Sequence, residues 1–162
     1  MYSFIHLENK YVSANIDYMF GGKLVELRNK SSNYNSVWFD KEKYANFSPL
    51  KFSDYDTQWI GGYEELYPND KVELLLGNQA PDHGELWSSN WEIINNTSTI
   101  LEIQCFGYFS NSTITKKFEL VDNKIFVNID ISQIKFDNYL FKLHLALPIN
   151  KTKVEFDYES FK

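Results

Sequence analysis

Only one cysteine, Cys105, occurs in the 162 residues, so no disulfide can form within the chain. Arginine is nearly missing too: Arg28 stands alone, and the 15 lysines are scattered. With a formal charge of −6, the sequence lacks the basic patch by which a nucleic-acid binder is recognised, and no nucleic-acid partner is expected. No segment approaches the roughly 18 apolar residues of a membrane helix. The first residues, MYSFIHLENKYVSA, carry neither a basic region nor a long apolar run and do not read as a signal peptide. The expectation is a cytoplasmic protein with no membrane partner. CxxC and HxH spacings are missing, which leaves no zinc pattern. So are the P-loop and the dinucleotide fingerprint and the GxSxG elbow. No cofactor and no metal are expected. Without a linker, a low-complexity tract or a period of 20 to 50 residues, residues 1–162 read as a single domain.

Aromatic side chains are abundant: 13 Phe, 11 Tyr and 4 Trp. They favour strands and build binding surfaces. The dominant period is two. KIFVNIDIS places Ile125, Val127, Ile129 and Ile131 on one face, with Asn128 and Asp130 opposite. ILEIQCF alternates likewise, with Cys105 in phase with Leu101 and Ile103, where it reads as a buried small hydrophobe. TITKKFEL sets Ile114, Phe118 and Leu120 on one side. These patterns predict half-buried antiparallel strands joined by short polar turns at 95–99, 110–112 and 122–123. FIHL, YVSANID and KLVELRN add shorter strands, and Gly21-Gly22 marks a turn or bulge before the third. Residues 40–60 and 67–82 are irregular, with room for a helical turn in the first. The predicted fold is all-β, an antiparallel β-sandwich of roughly ten or more strands.

Three stretches could carry chemistry. APDHGELWSSNW, 80–91, crowds Asp82, His83, Glu85, Trp87 and Trp91 together. A strand starting after Pro81 would place His83, Glu85 and Trp87 on one face. An imidazole, a carboxylate and a flat indole suit a sugar, whose hydroxyls seek polar partners and whose C–H face stacks on a ring. The plainer alternative is a surface strand whose Trp87 covers a neighbour. In NYLFKLHLALPI, 138–149, Phe141, Leu143, Leu145 and Leu147 share one face while Lys142, His144 and Ala146 share the other. His144 is thus turned from the leucines, toward a cleft or solvent. Two histidines on polar faces suit acid–base work on a hydroxyl or ring oxygen. In WIGGYEELYP, 59–68, Gly61-Gly62 lets backbone approach a ligand. Glu64 and Glu65 point opposite ways, so one can reach a site while the other meets solvent. His6, in FIHLEN, reads as structural or surface.

FGGKLVELRNK, GGYEELYPND, APDHGELWSSNWEI and YLFKLHLALPI occur in an order that resembles the N-terminal half of the galactose mutarotase-like family, which includes the aldose 1-epimerases. PDHGELW is the most specific piece, and the resemblance spans about residues 20 to 149. It implies a supersandwich whose concave sheet holds a sugar. It further implies a histidine acting as acid on the ring oxygen and a glutamate acting as base at the anomeric hydroxyl. By motif match His144 is the acid and His83 a sugar-binding histidine. Trp87 becomes a stacking surface, and Glu65 and Glu85 polar site residues. Two departures stand out. The family's glutamate lies beyond the Leu-His strand, where this sequence offers no match before Lys162. Ser89-Asn90 stands where Arg-Pro is common. Half a supersandwich would leave open edges, so a homodimer or a complementing C-terminal chain is expected as a partner beside a monosaccharide or sugar phosphate. An isomerase, a non-catalytic sugar-binding module and a β-sandwich interaction protein all remain open at this point.

Overall fold

In the strand Ser112–Val121 every second side chain is buried: Ser112, Ile114, Lys116, Phe118 and Leu120 face inward. Period-two burial is what one covered face of a sheet requires. Full burial of Ile114 and Phe118 contributes about 1.5–3 kcal/mol each. The strand Ile100–Gly107 repeats the rule with Leu101, Ile103 and Cys105. The computed structural model that shows this describes residues 4–46, 53–75, 77–133 and 140–148.

Its strands, in chain order, are β1 (Phe4–Glu8), β2 (Val12–Asp17), β3 (Lys23–Asn29), β4 (Tyr34–Asn35), β5 (Tyr63–Leu66), β6 (Leu74–Leu75), β7 (Asn78–Gln79), β8 (Glu92–Asn96), β9 (Ile100–Gly107), β10 (Ser112–Val121), β11 (Lys124–Ser132) and β12 (Lys142–Leu145). One sheet runs β1-β2-β3-β5-β12, with β4 beside β3. The second runs β11-β10-β9-β8, and β6-β7 forms a small ribbon. All pairings are antiparallel. Leu7, Val12, Ala14, Ile16 and Leu24 of the first sheet pack against Leu101, Ile103, Ile114 and Phe118 of the second, with Tyr67, Leu86 and Trp91 filling between them. The fold is an all-β antiparallel sandwich.

Two single-turn helices, α1 (Lys41–Tyr44) and α2 (Tyr55–Gln58), lie in the irregular region. Each starts at an aspartate, Asp40 or Asp54, whose carboxylate accepts the backbone N–H three residues on, at 2.9 and 2.8 Å. That satisfies one orphan amide per helix.

Three expectations need correction. No strand follows Pro81. His83 and Gly84 take left-handed backbone, φ 57° and 76°, which turns the chain into a 3₁₀ helix at Leu86–Ser88. A Cβ on Gly84 would run into the Tyr67 backbone, so the turn depends on glycine. His83, Glu85 and Trp87 therefore do not share a strand face. Next, the leucine row of β12 is only half-covered: Leu143 and Leu145 are 56% and 48% exposed. β12 is the last strand of its sheet among the described residues. In β11, Ile125, Val127, Ile129 and Ile131 share the inward face as predicted and are half-buried. Finally, neither Glu64 nor Glu65 meets solvent. Both are buried, because each finds a buried lysine.

Candidate functional site

In the antiparallel pairing of β12 with β5, His144 lies opposite Glu64. Directly opposed residues share a face of the sheet, so imidazole and carboxylate emerge side by side. Tyr55, on the first turn of α2, puts its hydroxyl between them. The O–H donates to Glu64 Oε1 at 2.6 Å, and the same oxygen is 3.0 Å from His144 Nδ1. The other carboxylate oxygen of Glu64 stands 2.8 Å from Lys23 Nζ, in an ion pair closed to solvent on both sides. Gly62 makes this possible. Its φ is 91°, and a Cβ there would lie 2.8 Å from the Lys23 side chain.

His83 arrives from the turn after Pro81. A non-glycine residue in left-handed backbone costs on the order of 1 kcal/mol, and the surrounding contacts hold it there. Its ring stacks on Tyr55, with centroids 4.1 Å apart and planes 17° from parallel. Its Nδ1 is 2.8 Å from Asp82 Oδ1. The second oxygen of Asp82 accepts the Tyr55 backbone N–H at 2.8 Å, and the Asp82 carbonyl accepts the Trp87 indole N–H at 3.0 Å. One aspartate thus pins α2, an imidazole and an indole. The His83 and His144 rings end 6.4 Å apart. Trp87 lies behind them, edge-on to Tyr55 at 5.3 Å and buried.

Burial shifts the titrations here. It pushes the Tyr55 phenol upward, with Glu64 adding to the effect, so Tyr55 stays a neutral hydroxyl. Burial also holds His144 below the usual imidazole value, against the pull of Glu64. Desolvation penalises whichever form is charged, so it acts in opposite directions on a phenol and an imidazole.

Of the residues singled out from sequence, the structure gathers His83, His144 and, behind them, Trp87. Glu65 faces the sandwich interior, where it pairs with Lys116. Glu85 accepts the backbone N–H groups of Phe109 and Ser110 at 2.9 and 3.0 Å and so fastens a turn. His6 is exposed, bonded to Asn15. Sequence reasoning missed Tyr55 and, as members of the site, Glu64 and Asp82. Asp54 and Thr57 carry a readable helix-cap signature, but nothing local says that Tyr55 reaches across to β5 and β12.

No protein-family model matches the chain, and no curated protein matches it in sequence. Solved structures do match. A galactose mutarotase-like protein from Lactobacillus casei ATCC 334 aligns with a TM-score of 0.62 and 19% identity, over 80% of this chain and 44% of that one. A galactose mutarotase related enzyme from Lactobacillus acidophilus aligns at 0.58 and 14% identity, over 79% and 42%. The fold is galactose mutarotase-like. A candidate aldose 1-epimerase from Escherichia coli K12 shares it at 0.57 and 11% identity, over 80% and 45%. The chain spans less than half the length of each of these mutarotase-like structures. No described helix is long and apolar enough to cross a membrane.

Proposed function

We propose that this chain is an aldose 1-epimerase-like protein that binds a hexose or hexose phosphate at the His83–His144 face and interconverts its anomers. The observation that carries the reading is the imidazole pair, 6.4 Å between ring centroids, on a mutarotase-like fold. Ring opening needs a proton delivered to the ring oxygen and another removed from the neighbouring anomeric hydroxyl. As they move, the bond from C1 to the ring oxygen breaks and C1 becomes an aldehyde. Rotation about C1–C2 and the reverse proton movements close the other anomer. His144 supplies the acid at the ring oxygen and His83 holds a hydroxyl; groups at this spacing suit neighbouring oxygens of one sugar. Trp87 backs Tyr55 from within. Glu65 and Glu85, engaged by Lys116 and by backbone amides, support the scaffold instead of the sugar.

The same reading includes a cytoplasmic location, which a lone buried thiol at Cys105 fits. It includes a complementing β-rich chain as partner. The half-covered inward rows of β11 and β12 and the larger size of the matched structures support it, and such a chain would bring the carboxylate base for the anomeric hydroxyl.

Polarimetry of freshly dissolved α-D-glucose and α-D-galactose tests the proposal. Mutarotation is expected to accelerate with the protein and to fall to the spontaneous rate with His144→Ala. Saturable sugar binding without acceleration would instead mark a binding module, or one part of a split epimerase that needs the chain carrying its base. If neither sugar nor its 6-phosphate binds or reacts, the reading is wrong.

A further inference from the structure

Tyr55 has one proton to give, and two neighbours compete for it. Glu64, an acceptor in an ion pair with Lys23, takes it at 2.6 Å. The phenol does not ionise near neutral pH. Its oxygen can then meet His144 Nδ1, at 3.0 Å, only by accepting. A neutral imidazole carries a single N–H, and here it must be the one at Nδ1. We propose that Tyr55 is a positioning residue: anchored by Glu64 and Lys23, it fixes neutral His144 as the Nδ1–H tautomer and leaves the lone pair, or the added proton, on Nε2. This deepens the reading of His144 as the proton donor and rests on it for its catalytic meaning, but not for the tautomer itself.

The elements around His144 agree. Tyr55 comes from α2, Glu64 from β5, Lys142 from its own strand, and His83 and Asp70 from the connecting loops. Asp82 occupies the Nδ1 of His83 in the same manner, so in both rings Nε2 is the nitrogen that these bonds do not use. A buried partner that sets a catalytic imidazole's tautomer is the recurrent way to aim its reactive nitrogen. The consequence is directional: His144 gives a proton only from Nε2 and, once neutral, receives one only there.

The test is a long-range ¹H–¹⁵N correlation spectrum of the full chain at about pH 8, above the ordinary imidazole value near 6.5. His144 is assigned by its loss in His144→Ala. The expected pattern is a pyrrole-type Nδ1 and a pyridine-type Nε2. In Tyr55→Phe the pattern is expected to move toward Nε2–H, and any mutarotation activity to lose kcat by roughly 10- to 100-fold with KM little changed. An Nε2–H pattern in the unaltered protein overturns the proposal without recourse to any variant. So does an unchanged His144 spectrum in a folded Tyr55→Phe. Because the spectrum needs no sugar, failure of the tautomer and failure of the epimerase reading are told apart.

Discussion

Glu64 and Glu65 are neighbours on β5, both buried and both paired with a buried lysine, yet they belong to different parts of the molecule. Glu65 points into the sandwich, where Lys116 meets it. Lys116 also donates to the Gly22 carbonyl at 2.9 Å and lies 4.6 Å over the Trp91 ring. Glu65 and Lys116 are both closed to solvent; the partly buried Tyr63 also hydrogen-bonds Glu65, but no histidine continues that chain among the described residues. Glu64 points the other way, and its second oxygen passes through Tyr55 to a half-exposed imidazole. A buried ion pair alone is scaffold. The same pair with a hydroxyl leading outward to a titrating group is the beginning of a site. The pleat of a single strand is enough to separate the two.

The sharpest way to break this comparison is to remove one lysine at a time. Lys116→Met leaves Glu65 buried without a cation and is expected to cost about 3–5 kcal/mol, measured by urea unfolding. That is a large share of the roughly 5–15 kcal/mol a domain has. Adding Glu65→Leu is expected to restore most of it, because the uncompensated charge goes too. Lys23→Met is expected to cost a similar amount and, unlike Lys116→Met, to alter the His144 ring spectrum. If both lysine variants leave His144 alike, the division of β5 into scaffold and site fails.

Smaller effects sharpen the site half. Tyr55→Phe removes one hydrogen bond from a buried carboxylate and is expected to cost about 1 kcal/mol; thermal melts check this. His144→Ala is expected to change stability least. Its trace is in the pH dependence. The folded value of His144 lies below the ordinary one because of burial, so as pH falls the unfolded chain takes up its proton first. The protein is therefore expected to lose stability as pH drops through about 6.5 toward the depressed value. His144→Ala is expected to flatten that slope. Unfolding titrations at several pH values decide it, and a slope unchanged in the variant would remove His144 from the account.

Much of the fold was legible because alternation is a local property. Ile114 to Leu120 and Leu101 to Cys105 announce their inward faces residue by residue. Turn chemistry was less legible. His83-Gly84 reads equally as the start of a strand, and only the close approach of the Tyr67 backbone forces the left-handed turn. The site was half legible. His83 and His144 stand out by residue type and parity, but their meeting point is Tyr55, 89 positions from His144 in sequence. Glu64 and Glu65 could be seen to diverge, whereas the lysines that bury them, Lys23 and Lys116, come from other strands. Lys116 sits in phase with Ile114 and Phe118, and a charge in an apolar row hints at a buried partner without naming it.

The central claim is that the two imidazoles joined through Tyr55 form a sugar-binding face. The most direct measurement is a titration of the protein with D-glucose, D-galactose and their 6-phosphates, following the ring proton resonances of all three histidines. The account predicts that His83 and His144 shift together along one saturating curve for at least one of these sugars, while exposed His6 on β1 stays fixed. Resonances of His83 and His144 that never move, or that move only as much as His6, would contradict it.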